Sequence, residues 1–109
     1  MKTTFGEYIR FLRTEKAFTL TQLAAKLNLD SANLSKIENG KRDFDEKRLI
    51  ILAKIFDLNL NELRNEYITD QIAKKIYETN CSKQLLELAE EKAEYRREIN
   101  KKSKKLKTT

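Results

Sequence analysis

Residues 30 to 42, DSANLSKIENGKR, hold the side chains of this chain best suited to specific polar contact. Wound as a helix, the stretch puts Leu34 and Ile37 on one side and Ser31, Ala32, Ser35 and Lys36 on the other, before Asn39 and Gly40 end it. The first side needs a core. The second is a row of short side chains offering hydroxyl donors and acceptors, one methyl group and one ammonium. Taken alone, such a face is either a solvated helix surface or one shaped for close approach to the hydrogen-bonding edge of another molecule. Other chemistry is removed by composition. With no histidine and a single cysteine, Cys81, the chain cannot build a His-based triad, the usual zinc sets or an internal disulfide. No metal, no cofactor and no catalytic residue is assigned, and the chain is not expected to be an enzyme. Cys81 falls in an interhelical turn and reads as an ordinary small residue.

The elements that must position this face are helices. The chain has 109 residues, no proline and only two glycines, so tight polar turns joining helices are what its composition allows, and the fold class is all-α. A first helix over about Thr4 to Lys16 has Phe5, Tyr8, Ile9 and Leu12 as its apolar stripe, joined by Phe18 beyond its end, with Glu7, Arg10 and Glu15 outside. Thr19 and Gln22 have capping-box spacing and start a second helix near 20–28, in which Leu20, Leu23, Ala24 and Leu27 point inward. Ala24 is small enough for another helix to cross closely. After a turn of about three residues the opening stretch forms the third helix, capped by Asp30 or Ser31. A fourth begins at Asp45 with Leu49, Leu52, Ala53 and Phe56 inward, and a fifth at Asn59 buries Leu60 and Leu63 and ends by Glu66.

Beyond Glu66 the pattern narrows. Ile68, Ile72 and Ile76 recur at four-residue spacing, and a longer, highly charged helix carries Leu85, Leu88, Tyr95 and Ile99 at alternating three- and four-residue steps interrupted by Lys92. Tyr67, Tyr77 and Tyr95 read as packing residues. The expected organisation is a five-helix domain over 1–66, a C-terminal extension of two further helices over 67–100, and a disordered lysine-rich tail over 101–109. That tail carries five lysines and no acid, which leaves only +1 of the net charge of +6 for the hundred residues before it. A nucleic-acid argument must therefore rest on where charges lie in the helical body, with the tail as a separate, non-specific contributor. No run of about 18 apolar residues exists, and the N-terminus MKTTFGEYIRFLR has charges where a signal peptide needs an apolar core, so the expected location is cytoplasmic, with no membrane partner.

LAAKLNL and LSKIENGKR, at this mutual spacing, resemble the lambda-repressor-like helix-turn-helix domains of the xenobiotic-response-element type over roughly residues 5 to 66. Two positions depart from the family pattern: Leu20, where a polar residue is usual, and Phe44, where proline is common. The resemblance implies that the third helix lies in the major groove of double-stranded DNA, with Ser31, Ala32, Asn33, Ser35 and Lys36 as base-contacting residues. Short side chains suit that placement, because the helix must approach base edges that present distinct donor, acceptor and methyl patterns. Thr19, Thr21, Asn39, Lys41 and Arg42 would contact phosphates, with Asp43, Asp45 and Glu46 opposing them. The family also implies an ion pair between Arg13 and Glu38 that ties the first helix to the third. A homodimer through Leu85, Leu88 and Tyr95 is expected, since one such domain reads about half a site. The chain then reads as a transcriptional regulator, a repressor or controller on an inverted-repeat operator, similar to restriction–modification controller proteins and small phage repressors. The alternative is an antitoxin with a toxin partner that also represses its own operon.

Overall fold

The computed structural model describes the backbone of residues 3–107 and the side chains of residues 3–102. Its elements, in order, are α1 (Phe5–Glu15), α2 (Leu20–Lys26), α3 (Ser31–Glu38), a 3-10 turn (Glu46–Arg48), α4 (Leu49–Phe56), α5 (Leu60–Glu78) and α6 (Lys83–Lys107). The described residues contain no strand, and none of their helices is long and apolar enough to cross a membrane. The described fold is all-α.

Each early helix starts at a side-chain cap. Thr4 accepts from the Glu7 N–H at 3.1 Å while the Glu7 carboxylate accepts from the Thr4 N–H at 3.2 Å, and Thr19 and Gln22 do the same at 3.1 and 2.8 Å. The apolar stripes then meet. Ile9, Leu23, Leu27, Leu34, Leu49 and Leu52 are the largest fully buried side chains, so α1 through α4 each contribute to one core. Phe44, the residue in place of a proline, is buried and stands edge-on to Phe5 at 5.7 Å, with Tyr67 also edge-on to Phe5 at 5.3 Å.

Four sequence expectations need correction. Asp45 caps the 3-10 turn, accepting from the Lys47 N–H at 3.0 Å, and α4 begins only at Leu49. The helix expected to end at Glu66 continues without a break to Glu78, so the two elements expected there are one. Residues 65–69 contain no Gly or Pro to stop it, and Tyr67 still packs on the core. The tail expected to be disordered overlaps the end of α6, which runs to Lys107; Thr108 and Thr109 lie outside the described residues. Finally, Tyr77 is 86% exposed and is no packing residue here.

Gly6 and Glu38 together set the approach of α1 to α3. A Cβ on Gly6 would stand 2.2 Å from the Ile37 carbonyl oxygen and 2.9 Å from that of Glu38, so only glycine allows this crossing. Beside it lies Glu38, the one buried charged side chain among the described residues. Arg13 grips its carboxylate with two N–H donors, Nε to Oε2 at 2.8 Å and Nη2 to Oε1 at 3.0 Å, and gives a third hydrogen bond to the Phe18 carbonyl at 3.0 Å. Arg10, exposed on the outer face as expected, also adds a contact from Nε to Glu38 Oε1 at 3.3 Å. The hydrogen bonding of Arg13 to Glu38 outweighs desolvation and, with the Glu38 charge, raises the Arg13 pKa, so the guanidinium stays charged.

Gly6→Ala gains about 1 kcal/mol of helix propensity but drives a methyl into backbone that cannot move cheaply, a cost of roughly 1–3 kcal/mol or more. A lowered melting temperature is expected in calorimetry; an unchanged or higher one would show that the crossing tolerates a side chain. Arg13→Ala leaves Glu38 buried with Arg10 as its remaining cation. The expected loss is on the order of 2–3 kcal/mol in urea unfolding, just under the ~3–5 typical when a buried charge is stranded outright.

Candidate nucleic-acid interface

The α2–α3 corner is made by backbone and one distant arginine. Leu27 caps α2, Asn28 takes the left-handed conformation at φ 58° that asparagine tolerates, and the Leu29 N–H returns to the Ala24 carbonyl at 2.8 Å. Asp30 then caps α3, accepting from the Asn33 N–H at 2.7 Å. Arg48 holds the corner from outside: its Nε donates to the Leu27 carbonyl at 2.9 Å and Nη2 reaches the Asn28 carbonyl at 3.4 Å, while Asp45 orients Nη1 at 2.9 Å. Carbonyls at the end of α2 that have no partner within the helix are thereby satisfied.

With Leu34, Ile37 and Glu38 buried, the opposite face of α3 is turned out. Ser31, Ala32 and Lys36 are exposed, and Asn33 and Ser35 are half-buried. Four of the side chains singled out, Asn33, Ser35, Asn39 and Arg42, are already engaged within the protein. Asn33 donates from Nδ2 to Asp30 Oδ2 at 3.0 Å and accepts at Oδ1 from Arg42 Nη1 at 2.8 Å. Asn39 accepts at Oδ1 from Arg10 Nη2 at 2.6 Å and donates from Nδ2 to the Ser35 carbonyl at 2.9 Å, with Ser35 Oγ at 3.4 Å. These bonds orient Asn33, Ser35, Asn39 and Arg42 before any partner arrives.

The flanks are exposed as well. Thr19 and Thr21 stand at the head of α2, and Asn39, Lys41 and Arg42 on the loop after α3. Gly40, at φ 74°, turns the chain out of α3, and the Lys41 N–H closes the turn on the Lys36 carbonyl at 2.8 Å. Further on, the loop is anchored by Phe44, whose carbonyl accepts from the Tyr67 hydroxyl at 2.7 Å. Desolvation, with the negative charges of Glu46, Asp43 and Asp45, pushes the Tyr67 phenol above its ordinary pKa and keeps it a donor.

Four residues that shape this surface were not anticipated from the sequence: Gly6, Arg48, Tyr67 as a hydrogen-bond donor, and Arg10 as a ligand of Glu38. Arg10 carried a signal, since it lies three residues before Arg13 and so on the same side of α1. For Arg48 and Tyr67, whose partners are 21 and 23 residues away, spacing offers none.

The sequence matches the helix-turn-helix family over residues 9–63. The HTH-type transcriptional repressor RghR of Bacillus subtilis (strain 168) is 38% identical over 91 residues, which are 80% of this chain and 66% of that protein. The competence pilus inhibition repressor of Acinetobacter baylyi is 33% identical over 58 residues, 53% of each chain. The chain thus spans less than two thirds of the length of these curated relatives. Among solved structures, PA4674 of Pseudomonas aeruginosa, in complex with its 18-bp operator DNA, shares the fold with a TM-score of 0.64 at 20% identity, over 78% of this chain and 90% of that one. The capped α2, the short corner, the buttressed α3 and a family match across all three lead to one assignment: the chain belongs to the lambda-repressor-like helix-turn-helix family.

Proposed function

We propose that this chain is a sequence-specific repressor that binds an inverted-repeat operator in double-stranded DNA as a homodimer. The observation that carries the reading is the two-sidedness of α3: Leu34, Ile37 and Glu38 are locked into the domain, while Ser31, Ala32 and Lys36 are exposed on a helix that cannot roll. In the major groove, Lys36 donates to guanine O6 or N7, Ser31 and Ser35 donate or accept, and Ala32 packs on a thymine methyl. Asn33 lies at the edge of this face, held by Arg42, and supplies its remaining amide proton to a base or phosphate. Thr19, Thr21, Asn39, Lys41 and Arg42 contact the phosphates on either side and set the register without reading sequence.

A single domain of this kind contacts half a site. Leu85, Leu88 and Tyr95 on α6 are 52%, 52% and 62% exposed, an unusual degree of exposure for apolar residues at repeating three- and four-residue steps. Their burial against a second chain forms the dimer, and two copies place two α3 helices on half-sites about one turn of DNA apart.

Selection of bound sequences from a random DNA pool, followed by footprinting, tests the reading: a symmetric consensus is expected, and an absence of any consensus would remove sequence-specific repression. Lys36→Ala is expected to weaken operator binding by about 1–3 kcal/mol and to relax preference at one position per half-site. Equal weakening on operator and random DNA would make Lys36 a phosphate contact instead. Leu88→Asp, which places two carboxylates in the seam, is expected to give a folded monomer at micromolar concentration in sedimentation experiments, with operator affinity reduced toward that of a half-site. A variant that remains dimeric would move the interface away from α6.

A further inference from the structure

The charges of α6 are sorted along its length. Between Lys83 and Glu94 there are two lysines against four glutamates, a net of −2, and between Tyr95 and Lys107 seven cations against one glutamate, a net of +6. Glu87, Glu90, Glu91 and Glu94 line one shallow hollow on the acidic half. Where acid gives way to base, Arg97 Nη1 pairs with Glu94 Oε2 in its own helix. Lys83 with Glu87 and Glu98 with Lys102 are likewise oppositely charged at four-residue spacing, but other pairs work against a lone helix. Glu87 and Glu91, Glu90 and Glu94, and Arg97 and Lys101 are like-charged pairs four residues apart, the spacing at which a solvent-exposed helix gains from opposite charges and loses from equal ones. The repulsion within each half is relieved by opposite charge brought from outside. The apolar seam of Leu85, Leu88, Tyr95 and Ile99, exposed by 47% or more at every position, equally calls for a covering surface.

We infer that the covering surface is α6 of a second copy of this chain, running antiparallel. In that orientation the −2 half of each helix lies beside the +6 half of the other, twice over, whereas a parallel pair sets +6 against +6 and −2 against −2. The helix dipoles add to the same preference, since antiparallel alignment places each positive end beside a negative one. An antiparallel pair of identical helices also has a two-fold axis across its middle, so the contact closes at two chains. The centre of α6 is Tyr95, which falls near that axis, where its ring packs across from its counterpart or from Lys92 of the second copy. The inference rests on the proposed dimer through α6 and specifies its orientation.

Cys81, the single cysteine, lies two residues before the start of α6 and is partly accessible. Spin-labelled in the otherwise unmodified chain, it reports orientation directly. At 1.5 Å rise per residue, two labels at opposite ends of an antiparallel pair stand about 40 Å apart, and beyond about 30 Å even if the register shifts by a heptad, whereas a parallel pair holds them within roughly 20 Å. The experiment combines sedimentation, pulsed dipolar distance measurement and a salt series on the full chain, with Leu88→Asp as control. Expected are a dimer with the long distance, a dimer Kd that rises at least about threefold from low to high salt as the attraction is screened, and loss of the distance in Leu88→Asp. A dimer with labels within about 20 Å, or one tightened by salt, overturns the antiparallel orientation while leaving the dimer intact. A long distance that survives Leu88→Asp overturns it too, by moving the contact off α6. A chain that stays monomeric at tens of micromolar overturns both this inference and the proposed dimer.

Discussion

The buried carboxylate of Glu38 is the interaction on which the presented surface of this protein depends. An ionised group 3% exposed is costly unless its oxygens are matched, and here Arg13 supplies two donors and Arg10 a third. Because both arginines come from α1 and the glutamate from α3, satisfying the charge fixes one helix against the other in translation and in rotation about its own axis. Gly6 sets the separation in the same contact, through its approach to the Ile37 and Glu38 carbonyls. A hydrophobic pair at this position would hold the helices together but leave rotation to packing alone. The bidentate geometry defines it more tightly. An acid on a helix that faces a polyanion is thereby turned into the fastening that aims the helix.

From that fastening a second set of contacts spreads to the flanks. Arg10 reaches past Glu38 to the Asn39 amide, which in turn bonds back to Ser35, so α1 bears on the end of α3 as well as on its side. Arg48 does the corresponding task at the start of α3, through the carbonyls of Leu27 and Asn28. Tyr67 ties α5 to the loop that follows Lys41 and Arg42. The exposed face is therefore held at its beginning, middle and end by side chains from three other elements, none of which belongs to the face itself.

How much of this could be read from the sequence follows from the range of each interaction. Local signals were reliable: the Thr19–Gln22 box starts α2 where expected, and the inward residues of α3 and α4 are the buried ones. The break expected after Glu66 failed because a change in apolar period was taken for an end of helix. The period changes there because α5 has passed the core at Tyr67, and beyond it Ile68 and Ile72 lie exposed, so the same helix continues with a narrower apolar stripe. The pairing of Arg13 with Glu38 came from family resemblance, since nothing in a spacing of 25 residues announces a contact. Gly6 was unreadable for a similar reason: a glycine inside a helical pattern shows only that a side chain is missing, not which backbone occupies its place.

The exposed side of α3 takes almost no share in holding the domain together. Ser31, Ala32 and Lys36 are outside the buried cluster, and the polar fastenings run through Glu38, Asn39 and Ser35 instead. Exchanging those three side chains alters neither core volume nor the matched charge, and exposed positions of this kind cost within about 0.5 kcal/mol in folding free energy. Stability and surface identity are thus nearly independent variables in this chain. Sequence drift at these three exposed positions can explore new surfaces at constant stability, while the same drift at Gly6 or Glu38 is stopped at the first step.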